Sequence, residues 1–194
     1  EDLLAEARAE IEAVADGGKV AAFSCDVSDA TAIAETYAKV QAEFGEIDIL
    51  VNNAGSSVHA AFEDATDEIW QTDLDLKLFA AIRLSRLAIR GMKQRRWGRI
   101  INTLNIGAKT PSASGAPTQV SRAAGLALTK VIAGDGAPHN VLCNALLVGK
   151  IATDQVRRRH QRNAPDMKLE DYIAEEAKPV PLGRMGTAEE YANI

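Results

Sequence analysis

The sequence predicts an α/β fold in which a doubly wound parallel sheet carries helices on both faces. Short apolar runs typical of buried strands alternate with longer stretches in which apolar residues recur every three or four positions. These segments follow one another in the order β-α-β-α-β-α-β, which favours parallel strands joined by crossover helices. The chain has 194 residues, of which 46% are hydrophobic and 25% charged, as in ordinary globular domains. We therefore assign residues 1–194 to a single domain.

The first half of the chain contains two predicted strands and two predicted helices. A helical pattern begins at Asp2, and Val20–Cys25 is an apolar run typical of a short buried strand. Asp26–Asp29 then offers side chains that can cap a helix. That helix is predicted by an apolar face and by Gly45, which would end it. The apolar face is formed by Ile33, Tyr37, Val40 and Phe44. The apolar run Ile47–Val51 then predicts a strand.

The second half continues the alternation. A long helical stretch runs from about Asp67 to Met92, and Gly98–Asn102 opens a strand. A helix then passes through Ser121–Lys130, Val141–Leu147 is the last strand, and the final residues begin another helix. Ligands bind beyond the carboxyl ends of parallel strands. One cleft is therefore expected where four loops meet, those after Cys25, Val51, Leu104 and Leu147.

The composition excludes several classes of partner. A net charge of −5 and a pI near 5.3 argue against a nucleic-acid-binding face, which would need concentrated Lys and Arg. No run of residues is long and apolar enough to span a bilayer and no signal peptide is recognisable, so we expect no membrane association and a cytoplasmic location. Cys25 and Cys143 lie in apolar runs without metal-ligand spacing, which indicates reduced packing residues and no metal site.

Five short segments carry the main functional signal. In chain order they are Asp26-Val27, Asn52-Asn53-Ala54-Gly55, Arg99-Ile100-Ile101-Asn102, Val148–Thr153 and Pro181–Gly186. Together they resemble signatures of the short-chain dehydrogenase/reductase family, and the chain is similar to a divergent 3-oxoacyl-[acyl-carrier-protein] reductase. The resemblance implies a Rossmann-type domain, NADP or NAD as the cofactor, and hydride transfer between that cofactor and a small carbonyl or alcohol substrate.

The resemblance also implies which residues hold the cofactor. The Asp26 carboxylate would accept a hydrogen bond from the adenine amino group, and the Asn-Asn-Ala-Gly segment would brace neighbouring strands and pass close to a cofactor ribose. Two residues of the fourth segment would contact the nicotinamide carboxamide, although Val148 stands where the family has Pro. Taken alone, an Asp after a strand is more often a helix cap. The implied cofactor-binding residues are Asp26, Val27, Asn53, Ala54, Gly55, Arg122, Ile151 and Thr153.

The chain departs from the family at the catalytic positions. The resemblance implies an Asn-Ser-Tyr-Lys tetrad with Tyr as the general acid/base, and the matching residues are Lys77, Asn105, Thr118 and Arg122. Asn105 retains an amide that can donate to a carbonyl oxygen. Arg122, one helical turn after Thr118, can donate to ribose hydroxyls. Thr118 is a poor substitute for Tyr, because an aliphatic hydroxyl is a far weaker acid than a phenol with a pKa of about 10.

A replacement proton donor is one hypothesis. Alignment places Lys77 on the helix face that lines the cleft, where Arg122 would lower its pKa; the alternative is a surface lysine that snorkels. His59 and Lys109 are further candidates, for which exposed loop positions are the plainer interpretation. Two functions therefore stay open: an oxidoreductase with an altered tetrad, and a catalytically silent nucleotide-binding or scaffold protein of the same fold.

Further expectations concern the limits of the chain and its self-association. The family's N-terminal strand-helix-strand, with its Gly-rich turn, and its C-terminal strand have no counterpart in this sequence, so we expect a core fragment of a longer domain. Residues 154–180 match the substrate loop, where Arg157–Arg159 would attract an acidic substrate or form a solvated helix face. We expect a homodimer or homotetramer that pairs the helices at 67–92 and 118–133, although the small residues there equally fit packing against the sheet.

Overall fold

The computed structural model describes residues 2–194, which contain eight α-helices and five strands. A π-helical segment, Asp75–Phe79, joins the third helix to the fourth. Within residues 2–194, none of the helices has the length and apolar character needed to cross a membrane. The elements are α1 (Asp2–Val14), α2 (Ala30–Phe44), β1 (Ile49–Asn52), β2 (His59–Ala60), α3 (Asp67–Leu74), α4 (Ala80–Arg95), β3 (Gly98–Asn105), β4 (Ala116–Pro117), α5 (Thr118–Gly136), β5 (Val141–Val148), α6 (Asp154–Asn163), α7 (Leu169–Ala177) and α8 (Ala188–Ala192).

Three strands form the sheet on which the candidate site is built. β1 and β3 pair in parallel, with Ile49 opposite Arg99 and Asn52 opposite Asn102, and β5 lies on the other side of β3. β2 and β4 form a separate two-stranded antiparallel sheet. The predicted α/β class with a parallel sheet is confirmed.

Helices α4 and α5 pack against this sheet through an aliphatic core. Ala88 and Met92 from α4, Ile100 from β3, Ile132 from α5 and Val141 from β5 are all buried in one cluster. Full burial of a large aliphatic side chain contributes about 1.5–3 kcal/mol. This layer therefore fixes the strand ends at which the candidate site lies.

The first predicted strand, Val20–Cys25, is wrong: the segment has no regular secondary structure. A β-strand needs hydrogen bonds to a neighbouring strand, and β1, at the edge of the three-stranded sheet, has no further strand beside it among residues 2–194. On β1, Ile49 and Val51 are accordingly 56% and 53% exposed. An apolar run can indicate a buried strand, but it does not show whether a neighbouring strand is present to pair with it.

The long helical stretch predicted from Asp67 to Met92 is present, with one irregular turn. The Ala80 N–H donates to the Asp75 carbonyl five residues earlier, which is the π-helical bond. Such turns accommodate an extra residue and are frequent at functional sites. Lys77, which the resemblance predicts at one of the four tetrad positions, lies in this turn.

The chain divides into two compact units, of which the first ends at Leu146 and the second runs from Leu147 to Ile194. The second unit has its own apolar core, made by Val156, Ala177 and Met185. Its last helix, α8, begins near the end of the chain, where the sequence predicts one. The assignment of residues 1–194 to a single domain stays a prediction.

The segment predicted as the substrate loop, residues 154–180, is largely helical because α6 and α7 occupy most of it. Arg157 is 69% exposed on α6 and lies 3.8 Å from Asp154. Arg159 lies 3.8 Å from Glu176 of α7. These contacts favour a solvated helix face over an anion-binding site for the arginines of this helix.

Candidate active site

A cavity of about 190 Å³ lies at the carboxyl ends of β1 and β3. Its wall is formed by parts of the first unit: the loop before α2, the end of β1 with the loop after it, β3, the π-helical segment, α4 and α5. Of the four predicted loops, the segments after Cys25 and Val51 thus meet in one cleft. The loop after Leu104 contributes no residue to this wall, and the contribution of the loop after Leu147 stays a prediction. The predicted site residues in this wall are Val27, Asn53, Ala54, Lys77 and Arg122.

A hydrogen-bond network braces the loop after β1. Asn52 Nδ2 donates to Asn102 Oδ1 at 2.8 Å on β3 and to Ser85 Oγ at 3.2 Å on α4. Asn102 Nδ2 donates in turn to Thr129 Oγ1 on α5 at 2.8 Å. Asn52 is therefore the asparagine of the Asn-Asn-Ala-Gly segment that carries the predicted bracing role. Ser85, the partner of Asn52, and Thr129, the partner of Asn102, have no signal in the sequence, because only the packing of α4 and α5 brings them to the strand ends.

Lys77 is buried in an ion pair with Asp73. Its Nζ donates to Asp73 Oδ1, and the two side chains are only 7% and 1% exposed. The same Nζ donates to Thr118 Oγ1 on α5 at 3.0 Å. The expectation of a snorkelling surface lysine is therefore wrong, because the π-helical turn and α5 cover the side chain.

Asp73 and Ser121 are site residues that sequence reasoning missed. The second carboxylate oxygen of Asp73, Oδ2, accepts a hydrogen bond of 2.6 Å from Ser121 Oγ, which also lies 3.1 Å from the Thr118 carbonyl oxygen. Asp73 is 2% exposed and Ser121 is 1% exposed. The signal that was available is spacing: Asp73 lies four residues before Lys77 and Ser121 three after Thr118, which places each pair on one helix face.

Thr118 lies behind Lys77 and does not reach the cavity. The residue is fully buried at 0% exposure, and its hydroxyl accepts the hydrogen bond from Lys77. The group that the cavity wall presents at this point is therefore the Lys77 side chain.

The surroundings lower the pKa of the Lys77 ammonium. Burial is the main cause, since it disfavours the charged form, and the nearby Arg122 acts in the same direction. Asp73 opposes both through its hydrogen bond and its charge. Alignment predicts the direction and the Arg122 contribution, whereas the larger effect of burial and the opposing carboxylate emerge only from the fold.

Comparison with known proteins gives the family. Residues 1–164 match the sequence model of the family described as short chain dehydrogenase. An acetoacetyl-CoA reductase of Shinella zoogloeoides is 33% identical over 175 residues, which cover 90% of this chain and 69% of that protein. The chain belongs to the short-chain dehydrogenase family. A 3-oxoacyl-[acyl-carrier-protein] reductase of Escherichia coli is 32% identical over 168 residues, covering 87% of this chain and 65% of that protein.

Solved structures of this family match the fold over nearly the whole chain. L-sorbose reductase from Gluconobacter frateurii, complexed with NADPH and L-sorbose, has a TM-score of 0.90 at 30% identity and covers 100% of this chain and 74% of its own. An NADPH-bound short chain oxidoreductase from Pseudomonas aeruginosa, which contains an atypical catalytic center, has a TM-score of 0.87 at 30% identity, covering 98% and 73%. The predicted family, the Rossmann-type fold and the oxidoreductase class are confirmed.

The cavity has features that fit a nicotinamide cofactor. A Cβ added at Gly55 would lie 3.5 Å from Lys77 Cγ and 3.9 Å from Arg122 Nη2, so the loop backbone runs beside both cations. Arg122 Nη1 donates to the Thr103 carbonyl at 3.3 Å, which directs the side chain along β3. Asn105 Oδ1 is buried and has no hydrogen-bond partner among residues 2–194. Asn105 is not part of the cavity wall, so its contact with a carbonyl oxygen stays a prediction.

The segment before α2 separates the two interpretations of Asp26. Asp26 is exposed, and its Oδ1 accepts hydrogen bonds from the backbone N–H of Ser28 at 2.9 Å and from the Ser28 hydroxyl at 2.7 Å, which lowers the Asp26 pKa. The cap of α2 is Asp29, whose Oδ1 accepts from Thr31 N at 2.6 Å. Asp26 is therefore not the helix cap, and its role towards adenine stays a prediction.

The remaining predicted site residues lie in different parts of the structure. His59 and Lys109 are exposed, as the plainer interpretation expects. His59 is nevertheless in β2, where its backbone lies opposite Pro117, directly before Thr118. Ile151 and Thr153 belong to the second unit, and their predicted contacts with the carboxamide stay predictions.

Proposed function

We propose that this protein is an NAD(P)-dependent oxidoreductase that reduces a small carbonyl compound, or oxidises the corresponding alcohol, with Lys77 as the proton donor and acceptor. The observation that carries the proposal is the position of Lys77. Its ammonium is hydrogen-bonded to Thr118, the residue at the position of the family's tyrosine, and its side chain forms part of the cavity wall. The site thus offers a proton at the place where the family has a phenol.

Residues of the chain would hold the cofactor around this point. Val27, Asn53 and Ala54 would lie along the nucleotide, and Arg122 would donate to hydroxyls of a ribose. Gly55 leaves the backbone of the loop uncovered beside Lys77. When bound, NAD(P) supplies or accepts the hydride. Family members solved with NADPH or NAD⁺ support this assignment.

The chemistry of the proton also supports Lys77. Reduction of a carbonyl needs a proton at the oxygen as the alkoxide forms, and the donor works best when its pKa lies near the working pH. Burial moves the Lys77 pKa in that direction. Asn105 would add a hydrogen bond to the carbonyl oxygen, while the Thr118 hydroxyl is too weak an acid to replace the phenol. A protein of the same fold with an atypical catalytic center also binds NADPH.

A second candidate function is nucleotide binding without turnover. The observation that favours it is the pairing of Lys77 with Asp73, which gives the lysine a structural partner within the fold. In that case Lys77 would hold α3 to α5 and donate no proton. Self-association through the helices at 67–92 and 118–133, a substrate contact by residues 154–180 and a cytoplasmic location remain part of the proposal for either function.

The test is the substitution Lys77→Met, which keeps the length of the side chain and removes its proton. NADPH and NADH binding is measured by fluorescence titration, and turnover is measured with a panel of carbonyl compounds that includes acetoacetyl-CoA and L-sorbose. We expect cofactor binding to persist and turnover to fall about 10²-fold or more, the usual contribution of a positioned acid.

The matched control for this substitution is Lys109→Met, which removes an exposed lysine. It should behave as the wild type in both measurements. Full turnover in Lys77→Met would contradict a proton-donating role, and cofactor binding by the wild type without turnover of any substrate would favour the second candidate.

A further inference from the structure

Asp73 is a buried carboxylate that uses both of its oxygens. Oδ1 accepts from the Lys77 ammonium, and Oδ2 accepts from the Ser121 hydroxyl at 2.6 Å. These partners come from the π-helical turn and from α5, whereas Asp73 itself lies in the last turns of α3. The carboxylate therefore connects three elements at one side of the cavity.

The charge balance around Lys77 depends on this one carboxylate. In the described part of the chain, the charged groups that act on Lys77 are Asp73 from α3 and Arg122 from α5, and they have opposite effects. A buried ammonium without an anionic partner loses its proton readily, because desolvation and a neighbouring cation both disfavour its charge. Asp73 is thus the anionic partner that opposes both of these effects and favours the protonated form of Lys77.

The position of Lys77 depends on it as well. The lysine side chain has four rotatable bonds, and a fixed acceptor restricts where its ammonium lies. With Oδ2 held by Ser121, the carboxylate cannot rotate freely, and Lys77 Nζ stays 3.0 Å from Thr118 Oγ1. The Asp73 carboxylate and the Ser121 hydroxyl are hydrogen-bonded to other residues in this arrangement, so we assign neither of them to a ligand.

We propose that Asp73 is a positioning residue of this site, which through Ser121 and its own charge keeps the Lys77 ammonium protonated and directed at the position of the family's tyrosine. The inference deepens the proposed function and rests on it for its catalytic meaning. Its physical content, the coupling of Asp73 to Lys77, holds independently of turnover.

The experiment measures the Lys77 titration directly. Lysines are labelled with ¹³C at the ε carbon, the Lys77 signal is assigned by its loss in Lys77→Met, and its chemical shift is followed against pH in the wild type and in Asp73→Asn. The pH dependence of carbonyl reduction is recorded for the same proteins. The matched control is Asp75→Asn, which removes a carboxylate that pairs with Arg83 at 3.2 Å.

We expect Asp73→Asn to move the Lys77 titration to lower pH by roughly one to three pH units, the usual effect of removing an adjacent opposite charge. Reduction requires the protonated lysine, so activity is lost as pH rises through the Lys77 pKa. The alkaline limb of kcat/KM should therefore move to lower pH by the same amount, and Asp75→Asn should move neither. A structural role alone would reduce activity at every pH without moving the limb.

The outcomes separate the two proposals. An unchanged Lys77 titration in Asp73→Asn overturns the positioning inference, whatever happens to activity. A shifted titration with an unmoved limb supports the coupling and contradicts Lys77 as the proton donor. If Asp73→Asn does not fold, Asp73→Glu takes its place: it retains the charge, so Lys77 should titrate as in the wild type while kcat falls, and a titration at clearly lower pH overturns the inference.

Discussion

Two hydrogen-bonded ion pairs of this protein differ in their surroundings. Arg184 and Glu190, in the second unit, share two hydrogen bonds of 2.6 and 2.9 Å, yet their side chains are 54% and 49% exposed. Lys77 and Asp73 are 7% and 1% exposed. Water screens the first pair, and exposed pairs contribute little to stability. The second pair has lost its hydration, so each ion depends on its partner.

The comparison shows that a short contact does not identify a functional pair. Burial distinguishes the second pair, because it makes the protonation state of one group depend on the other. The exposed pair fastens α8 to the residues before it, and Glu190 also accepts from the backbone N–H of Thr187 in a capping box. The buried pair instead lies at a cavity wall and leaves a lysine with a lowered pKa.

Removing one member of the buried pair should have the largest effect on stability. Asp73→Ala leaves the Lys77 charge without a partner, and we expect the free energy of unfolding to fall by about 3–5 kcal/mol. Urea denaturation followed by circular dichroism measures it. In the double variant Asp73→Ala/Lys77→Met, the loss should be smaller than in Asp73→Ala alone. Additive losses would mean that the two side chains are not coupled.

Ser121→Ala should have a smaller effect of the same kind. It removes the hydrogen bond to Asp73 Oδ2, and bonds to charged groups contribute about 1.5–3 kcal/mol. The same urea experiment measures the loss. A neighbouring control is Val120→Ala, because Val120 is 51% exposed on the same helix and should change stability little. Equal effects of the two substitutions would contradict the proposed support of Asp73.

Salt should change the pKa of Glu190 in the exposed pair more than the pKa of Lys77 in the buried pair. Hydrogen bonds from Arg184 and from the Thr187 backbone lower the Glu190 pKa to about 2. Because this folded-state pKa is depressed, its contribution to stability is present above the pKa of an unfolded glutamate, about 4.3, and is lost as pH falls towards 2. Carboxyl NMR titration should show the Glu190 pKa rising at 1 M NaCl, where the screening length is about 3 Å, while the Lys77 titration changes little.

Most of the regular elements were predictable because their signals are local. The spacing of Ile33 to Phe44 and the following Gly45, which ends the helix with a φ of 83°, are properties of adjacent residues. The strand predicted at Val20–Cys25 is wrong for a non-local reason, because a strand forms only when a neighbouring strand supplies its hydrogen bonds. The prediction of a long helix at 67–92 lacks its π-helical turn. One extra residue in a single turn changes the spacing of apolar residues too little to be seen in the sequence.

The sequence by itself determined the family and the parallel α/β class, because short motifs and their order can be recognised from neighbouring residues alone. The replacement of the family's tetrad at four positions stays a prediction. Only the tertiary structure decided which side chains meet at the cavity. Asp73 and Ser121 lie 48 residues apart in the chain and meet at 2.6 Å. Burial, which lowers the Lys77 pKa while Asp73 raises it, is a property of packed neighbours. The spacing of residues along the chain does not specify how far a side chain is shielded from solvent.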